Sequence, residues 1–481
     1  MTTISLNDIL VMLPEIYLAG AACLLLLIDA FLGDEQRGAT HWVAVLVLLV
    51  AIYLVVSGQP NVTVSAFDGM FVRDSMAEIL KVFLLGATAI VFVLSRPYLR
   101  DRNLLIGEFY TLTIFAVLGM MLLVSAGNFV SLYLGLELYS LSAYALIALN
   151  RTSKLASEAA IKYFVLSALA SGLLLYGMSM IYGATGTLAL DAIHRAATTT
   201  THPNLLRFGL VFLVVGIGFK FGAAPFHMCI PDVYEGAPTP VVAFISSAPK
   251  LAAFGMAFRL LQSGMGSMVN DWQLMLAAVA VLSMAIGNVA AIAQSNLKRM
   301  LGYSTISHMG FLLLGLAGGS PGGYSAAMYY AVCYALMSTA SFGIILLLAR
   351  AGFECEMIDD LKGLNRRSPW FAGMMALAMF SLAGVPPLFG FFAKVLVLKA
   401  AIDAHMLWLA IVAIVFSIIG LFYYLRVVKV MYFDAPMEDA PPLQPKPDIS
   451  LRWILSANAL ALLALGLVSG PLLTWCERAF G

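Results

Sequence analysis

Five lysines, Lys81, Lys162, Lys220, Lys250 and Lys394, stand inside long apolar stretches. An ammonium at the bilayer centre costs about 2.5–3.5 kcal/mol on the insertion scale. A partner charge, water, protein dipoles or loss of the proton must offset that cost. Glu137 adds a carboxylate within Gly135-Leu136-Glu137-Leu138-Tyr139-Ser140, and His308 adds an imidazole within Tyr303-Ser304-Thr305-Ile306-Ser307-His308. These residue types suit proton transfer. Desolvation favours a neutral lysine, a nearby carboxylate favours a charged one, and histidine titrates near neutrality. Tyr330, Tyr334 and Ser338, spaced by four, share a helix face and offer hydroxyls that hold connecting water.

The elements that must position them are membrane helices. The chain has 481 residues, 62% hydrophobic and 11% charged, against about 25% charged in soluble domains. A net charge of +1 argues against a nucleic-acid partner. The five cysteines (Cys23, Cys229, Cys333, Cys355, Cys476) are scattered without CxxC, and the six histidines are dispersed. Iron–sulfur, zinc and haem sites therefore have no sequence support. Neither GxGxxG nor GxxxxGK[ST] occurs, which argues against nucleotide binding. The first apolar run, 9–32, lacks a basic leader and is long enough to span, so it reads as a helix rather than a cleaved signal.

Apolar runs of about 20 residues predict an all-α polytopic protein with about fourteen transmembrane helices. Their approximate limits are 9–32, 41–57, 74–95, 106–126, 129–149, 157–183, 206–228, 239–262, 273–294, 301–318, 323–350, 370–402, 405–433 and 452–475. Loops after odd-numbered spans hold sixteen basic residues: Arg37, Arg96, Arg100, Arg102, Arg151, Lys154, Lys298, Arg299, Arg350, Lys362, Arg366, Arg367, Arg426, Lys429, Lys446 and Arg452. The opposite face carries Arg73, Arg195, Arg207, Arg259, Lys399 and Arg478. The positive-inside rule turns the richer face to the cytoplasm and both termini to the periplasm.

Two spans are interrupted. In the seventh, Gly218-Phe219-Lys220-Phe221-Gly222-Ala223-Ala224-Pro225 sets a lysine just before a Gly/Pro break. In the twelfth, Gly384-Val385-Pro386-Pro387 breaks the helix and Lys394 follows. Proline removes a donor and disfavours helix in the residue before it. Paired broken helices in corresponding places of two halves point to a transport site. They lie five spans apart, so spans 4–8 and 9–13 read as two five-helix repeats, inverted because five is odd. The division expected is residues 1–105 (three helices), 106–265 (first repeat), 266–433 (second repeat) and 434–481 (a polar loop, with a Pro-rich stretch at 435–448, and a last span).

Depth along the spans places Glu137, Lys220 and Lys250 near mid-membrane, Lys162 near the cytoplasmic end of span 6, and Lys394 on the periplasmic side of its break. A route Lys162, Lys220, Lys250, His308, Lys394 follows, its lateral order open. Competing structural readings stand beside it. Lys81 can snorkel or pair with Glu78, one turn away. Lys162 can do likewise, His308 can be a packing histidine, and the hydroxyl stripe can be interhelical glue.

On these residues the chain resembles the antiporter-like membrane subunits of respiratory complex I (NADH:quinone oxidoreductase). The matching strings are LGLELYSLSAYAL (134–146), EAAIKYFVLSALASG (158–172), GFKFGAAPFHMCIPDVYEGAPTPVVAFISSAPK (218–250), LKRMLGYSTISHMG (297–310), DDLKGL (359–364) and SLAGVPPLFGFFAKV (381–395). Lysine rather than glutamate at 394, and an end after the fourteenth span without a long lateral helix, are similar to the subunit N branch. Cys229 departs from the tryptophan expected there.

The resemblance implies that Glu137 sets the proton affinity of Lys220, the central carrier of the first half-channel. Lys250 and His308 pass protons across the middle, Lys394 releases them and Lys162 serves the entry. It implies a proton-translocating subunit of the bacterial inner membrane with no cofactor of its own. FMN, iron–sulfur clusters and quinone belong to partner subunits. Subunits K and M are the expected neighbours, with the lateral helix of subunit L alongside. Energy arrives along a line of charged residues in the membrane plane. The alternatives are a subunit of a multisubunit sodium/proton antiporter, which exchanges ions without NADH oxidation, and a passive scaffold.

Overall fold

A computed structural model describes residues 5–32, 37–58, 63–436 and 448–480. Most of the Pro-rich stretch at 435–448, with Lys446, lies outside them.

Among the described residues, twenty α-helices carry the chain. The N-terminal segment comprises α1 (Leu6–Val11), α2 (Leu13–Phe31), α3 (Arg37–Ser57) and α4 (Ser75–Asp101). A small antiparallel hairpin, β1 (Val64–Ala66) with β2 (Phe71–Arg73), joins the last two. The next group is α5 (Gly107–Val124), α6 (Phe129–Ile147), α7 (Lys154–Thr185), α8 (Leu190–Ala196), α9 (Pro203–Phe221), α10 (Ile230–Gly236) and α11 (Thr239–Phe258). Then follow α12 (Val269–Ile292), α13 (Leu297–Ala317), α14 (Pro321–Leu348), α15 (Leu364–Arg367), α16 (Pro369–Ala383), α17 (Phe389–Asp403) and α18 (Leu407–Tyr432). The chain ends with α19 (Ile449–Leu467) and α20 (Gly470–Arg478).

Thirteen helices among the described residues are long and apolar enough to cross a membrane. The one remaining expected span, the twelfth at 370–402, is present as two half-helices, α16 and α17, each too short to cross alone. Gly384 stops the first half by turning left-handed, φ +84°, a conformation that costs a side chain about 1–2 kcal/mol. Gly222 ends α9 in the same way, φ +71°, so the seventh span stops at Phe221 rather than 228 and resumes as α10. The last span ends at Leu467, and α20 is a separate amphipathic helix burying Leu472 and Cys476.

Spans 4–8 and 9–13 repeat each other's contacts at a constant offset. Asn128 caps α6 and bridges Ala189, while Asn296 caps α13 and bridges Met357. Gly119 of α5 packs on the backbone of Gly135 and Tyr139, and Gly287 of α12 packs on Tyr303 and Ser307. Both contacts leave no room for a Cβ. The spans α11, α13 and α14 form the buried centre. Ile161, Phe164 and Leu169 on α7, and Ile411, Ile418 and Phe422 on α18, remain exposed. Such apolar faces need lipid or a partner against them.

Candidate proton-transfer site

Breaking a helix inside a membrane frees backbone groups that protein or water must satisfy. In this chain buried lysines and serines do so. Lys250 Nζ donates to the carbonyl of Phe221, the last residue of α9, at 2.9 Å. Lys394 Nζ donates to the carbonyl of Ala383, the last residue of α16, at 2.8 Å. Each break thus presents the negative end of a helix to a lysine amine, which stabilises the freed carbonyl. On the donor side, Ala224 N–H reaches Ser283 Oγ at 2.8 Å and Gly390 N–H reaches Ser381 Oγ at 3.1 Å. Ser283 lies on α12, so one half of the protein completes the break in the other.

Lys220, in the last turn of α9, donates to Ser140 Oγ at 2.9 Å and Ser167 Oγ at 3.1 Å. Glu137 lies one turn before Ser140 on α6, and its buried Oε1 has no hydrogen-bond partner among the described residues. The lysine therefore rests on hydroxyls, with the carboxylate behind them rather than in an ion pair. Lys394 also donates to Ser417 Oγ at 3.0 Å and sits 5.0 Å from the centre of the Phe311 ring.

His308 is fully engaged. Its Nδ1 meets Tyr330 Oη at 2.7 Å and its Nε2 meets Tyr424 Oη at 2.9 Å. Tyr424 continues to Ser304 at 2.5 Å. Beside it, Thr305 Oγ1 lies 2.6 Å from Tyr334 Oη and 3.2 Å from Tyr234 Oη. Phe311, on the same helix as His308, stacks on Tyr330 and so carries the packing from the imidazole to Lys394. Hydroxyls and an imidazole both donate and accept hydrogen bonds, so a chain of this kind has the chemistry to pass a proton along.

Lys250, His308 and Lys394 are buried, and Lys220 and Glu137 are half-buried beside them. Lys162 is apart from them. Its side chain is 44% exposed and pairs with Glu158 and Asp232, each at 2.8 Å. Lys81 is buried, paired with Glu15 at 2.8 Å and Glu78 at 3.4 Å, while Arg73 binds Glu78 at 2.9 Å. Sequence reasoning missed Glu15, Ser167, Ser283, Ser417, Asp232 and Tyr424. A tyrosine pair inside an apolar span (Tyr423-Tyr424) was a readable signal; the serines carried none. Among the described residues no group of three His, Cys, Asp or Glu side chains could hold a metal ion.

Two broken helices in two halves, each closed on a buried lysine, define an antiporter-like membrane subunit. Residues 126–420 match the family described as NADH:quinone oxidoreductase/Mrp antiporter, transmembrane. A subunit of respiratory complex I from Thermus thermophilus superposes with a TM-score of 0.83 at 31% identity, covering 97% of this chain and 100% of that one. The Mrp complex of Dietzia shares the fold, with a TM-score of 0.85 at 21% identity over 99% of this chain and 97% of that one. NADH-quinone oxidoreductase subunit N of Thiobacillus denitrificans is 54% identical over 98% of this chain and 97% of its own length. The Xanthomonas euvesicatoria subunit N is 53% identical over 98% and 96%. The chain belongs to the subunit N family of NADH:quinone oxidoreductase, the antiporter-like, proton-translocating membrane subunits.

Proposed function

We propose that this chain moves protons across the bacterial inner membrane through Glu137, Lys220, Lys250, His308 and Lys394, with Lys162 at the entry. Glu137 favours the protonated state of Lys220 through the intervening hydroxyls. A proton leaving Lys220 passes by water to Lys250, then by His308 and its tyrosines to Lys394, which releases it to the periplasmic side. The observation that carries this reading is the pairing of each break's last carbonyl with a lysine. An ammonium held there by one hydrogen bond and a half-helix dipole has a built-in reason to be charged, and loses it when the half-helix shifts.

The chain has no redox centre in this reading. FMN, iron–sulfur clusters and quinone lie in partner subunits, subunits K and M flank this one, and the lateral helix of subunit L runs beside it. The basic face is cytoplasmic and both termini are periplasmic. The units are residues 1–105, 106–265, 266–433 and 434–481; the recurring Asn caps and glycine contacts support the two central ones. The test is NADH-driven proton uptake by vesicles holding the whole complex with Lys220→Ala or Glu137→Gln. Both variants are expected to lose most uptake while assembling normally. Full uptake in both, with intact complex, overturns the relay.

A further inference from the structure

At the basic end of the first half, five charged side chains form one line. Glu158 pairs with Lys162 at 2.8 Å, and Lys162 pairs with Asp232 at 2.8 Å. Asp232 pairs through its other oxygen with Arg299 at 2.9 Å, and Arg299 pairs with Glu235 at 2.7 Å. Asp232 is the hub, and it takes one oxygen to each cation. Three carboxylates face two cations, so one negative charge is in surplus. Each cation also holds an outer carboxylate, and can leave Asp232 without becoming unpaired. Partly exposed ion pairs of this kind are individually weak, so such a rearrangement is cheap.

The place of Asp232 in the fold is the second observation. It lies ten residues past the left-handed Gly222, in the half-helix that follows the first break. Lys394 lies ten residues past the left-handed Gly384, in the half-helix that follows the second break. Each segment that follows a break thus carries an ionisable group at this distance: Lys394 is buried in α17, whereas Asp232 lies partly exposed in α10 at the basic face. The line is also tied to the interior. α7 carries Lys162 and, five residues on, Ser167, which binds Lys220, while α10 carries Tyr234, which is buried beside Thr305.

We propose that Asp232 takes up the proton at the mouth of the first half-channel, with Lys162 and Arg299 as the cations that free it by moving onto Glu158 and Glu235. While both cations hold it, Asp232 stays ionised and does not load. When they move to the outer carboxylates, the surplus charge falls on Asp232, and one of its oxygens bonds a proton from hydronium in the adjoining water. The return of the cations expels that proton inward, through water, to the neutral amine of Lys220. This rests on the relay reading above and assigns its entry group.

The test measures protons taken up per NADH oxidised by the reconstituted whole complex. Asp232→Asn is expected to lower NADH-driven proton uptake about tenfold or more, as removal of an acid–base group does, and Asp232→Glu to regain most of it. Glu158→Gln combined with Glu235→Gln locks both cations on Asp232, and is expected to slow uptake without loss of assembled complex. Uptake per NADH within twofold of the parent in assembled Asp232→Asn overturns the assignment; should Asp232 variants not assemble, unslowed uptake in the double variant overturns it instead. Normal uptake in Asp232→Asn with loss in Lys220→Ala removes only this entry group. Normal uptake in Lys220→Ala removes the relay itself.

Discussion

Ser283→Ala isolates one oxygen that closes the first break. Ser283 Oγ accepts from the buried Ala224 N–H at 2.8 Å and donates to the carbonyl of Val279. Alanine leaves the Val279 carbonyl in its helical hydrogen bond but strands the Ala224 donor in a site with no exposure. A buried donor left unpaired costs about 1–3 kcal/mol. That cost falls on the closed state of the break, because an opened break lets water reach the same N–H. With 1.36 kcal/mol per tenfold, the population of the opened break rises about 5- to 150-fold. Cys229 reports it, being 1% exposed and lying at the start of α10. In a Cys23→Ser background, which removes the exposed thiol, a membrane-permeant maleimide is applied to the whole complex and the Cys229 peptide is quantified over time. Labelling of Cys229 should accelerate by that factor while Cys333 and Cys355, buried elsewhere, keep their rates. Acceleration below twofold refutes the claim that α12 holds the break closed.

Two further substitutions probe other parts of the chain. Tyr424→Phe deletes the hydroxyl shared by His308 and Ser304; NADH-driven proton uptake should fall about tenfold or more with assembly unchanged, and undiminished uptake would take the tyrosine out of the relay. Lys81→Met leaves Glu15 buried without its cation, a loss of about 3–5 kcal/mol; the amount of assembled complex on native gels should drop sharply, whereas a normal yield would refute a stabilising role for the Lys81–Glu15 pair.

Much of the architecture was legible along the chain. The limits expected for the spans fall close to those observed because hydropathy over one helix length reflects only whether that stretch meets lipid or protein. Both breaks were readable because Gly222-Ala-Ala-Pro225 and Gly384-Val-Pro-Pro387 act on their own backbone. The resumption at Ile230 was not, since seven helical residues leave too short a pattern. The buried lysines stood out by type, yet Lys162 and Lys220 looked alike: each is a cation in an apolar run. Tertiary packing separated them by turning Lys162 outward to Glu158 and Asp232, and Lys220 inward to Ser140 and Ser167.

Serines show the limit most clearly. Nothing in their sequence neighbourhood distinguishes Ser283 or Ser417 from the serines that bond only their own helix, and Glu15 gave no sign that it would meet Lys81. Residue type, the extent of the spans and the places where helices break are decided by chemistry within about one helix length, and the sequence alone determined them. Which carbonyl each lysine holds, and which carboxylate each cation shares, depends on the rotation of helices about one another, and only the packed tertiary structure decided that.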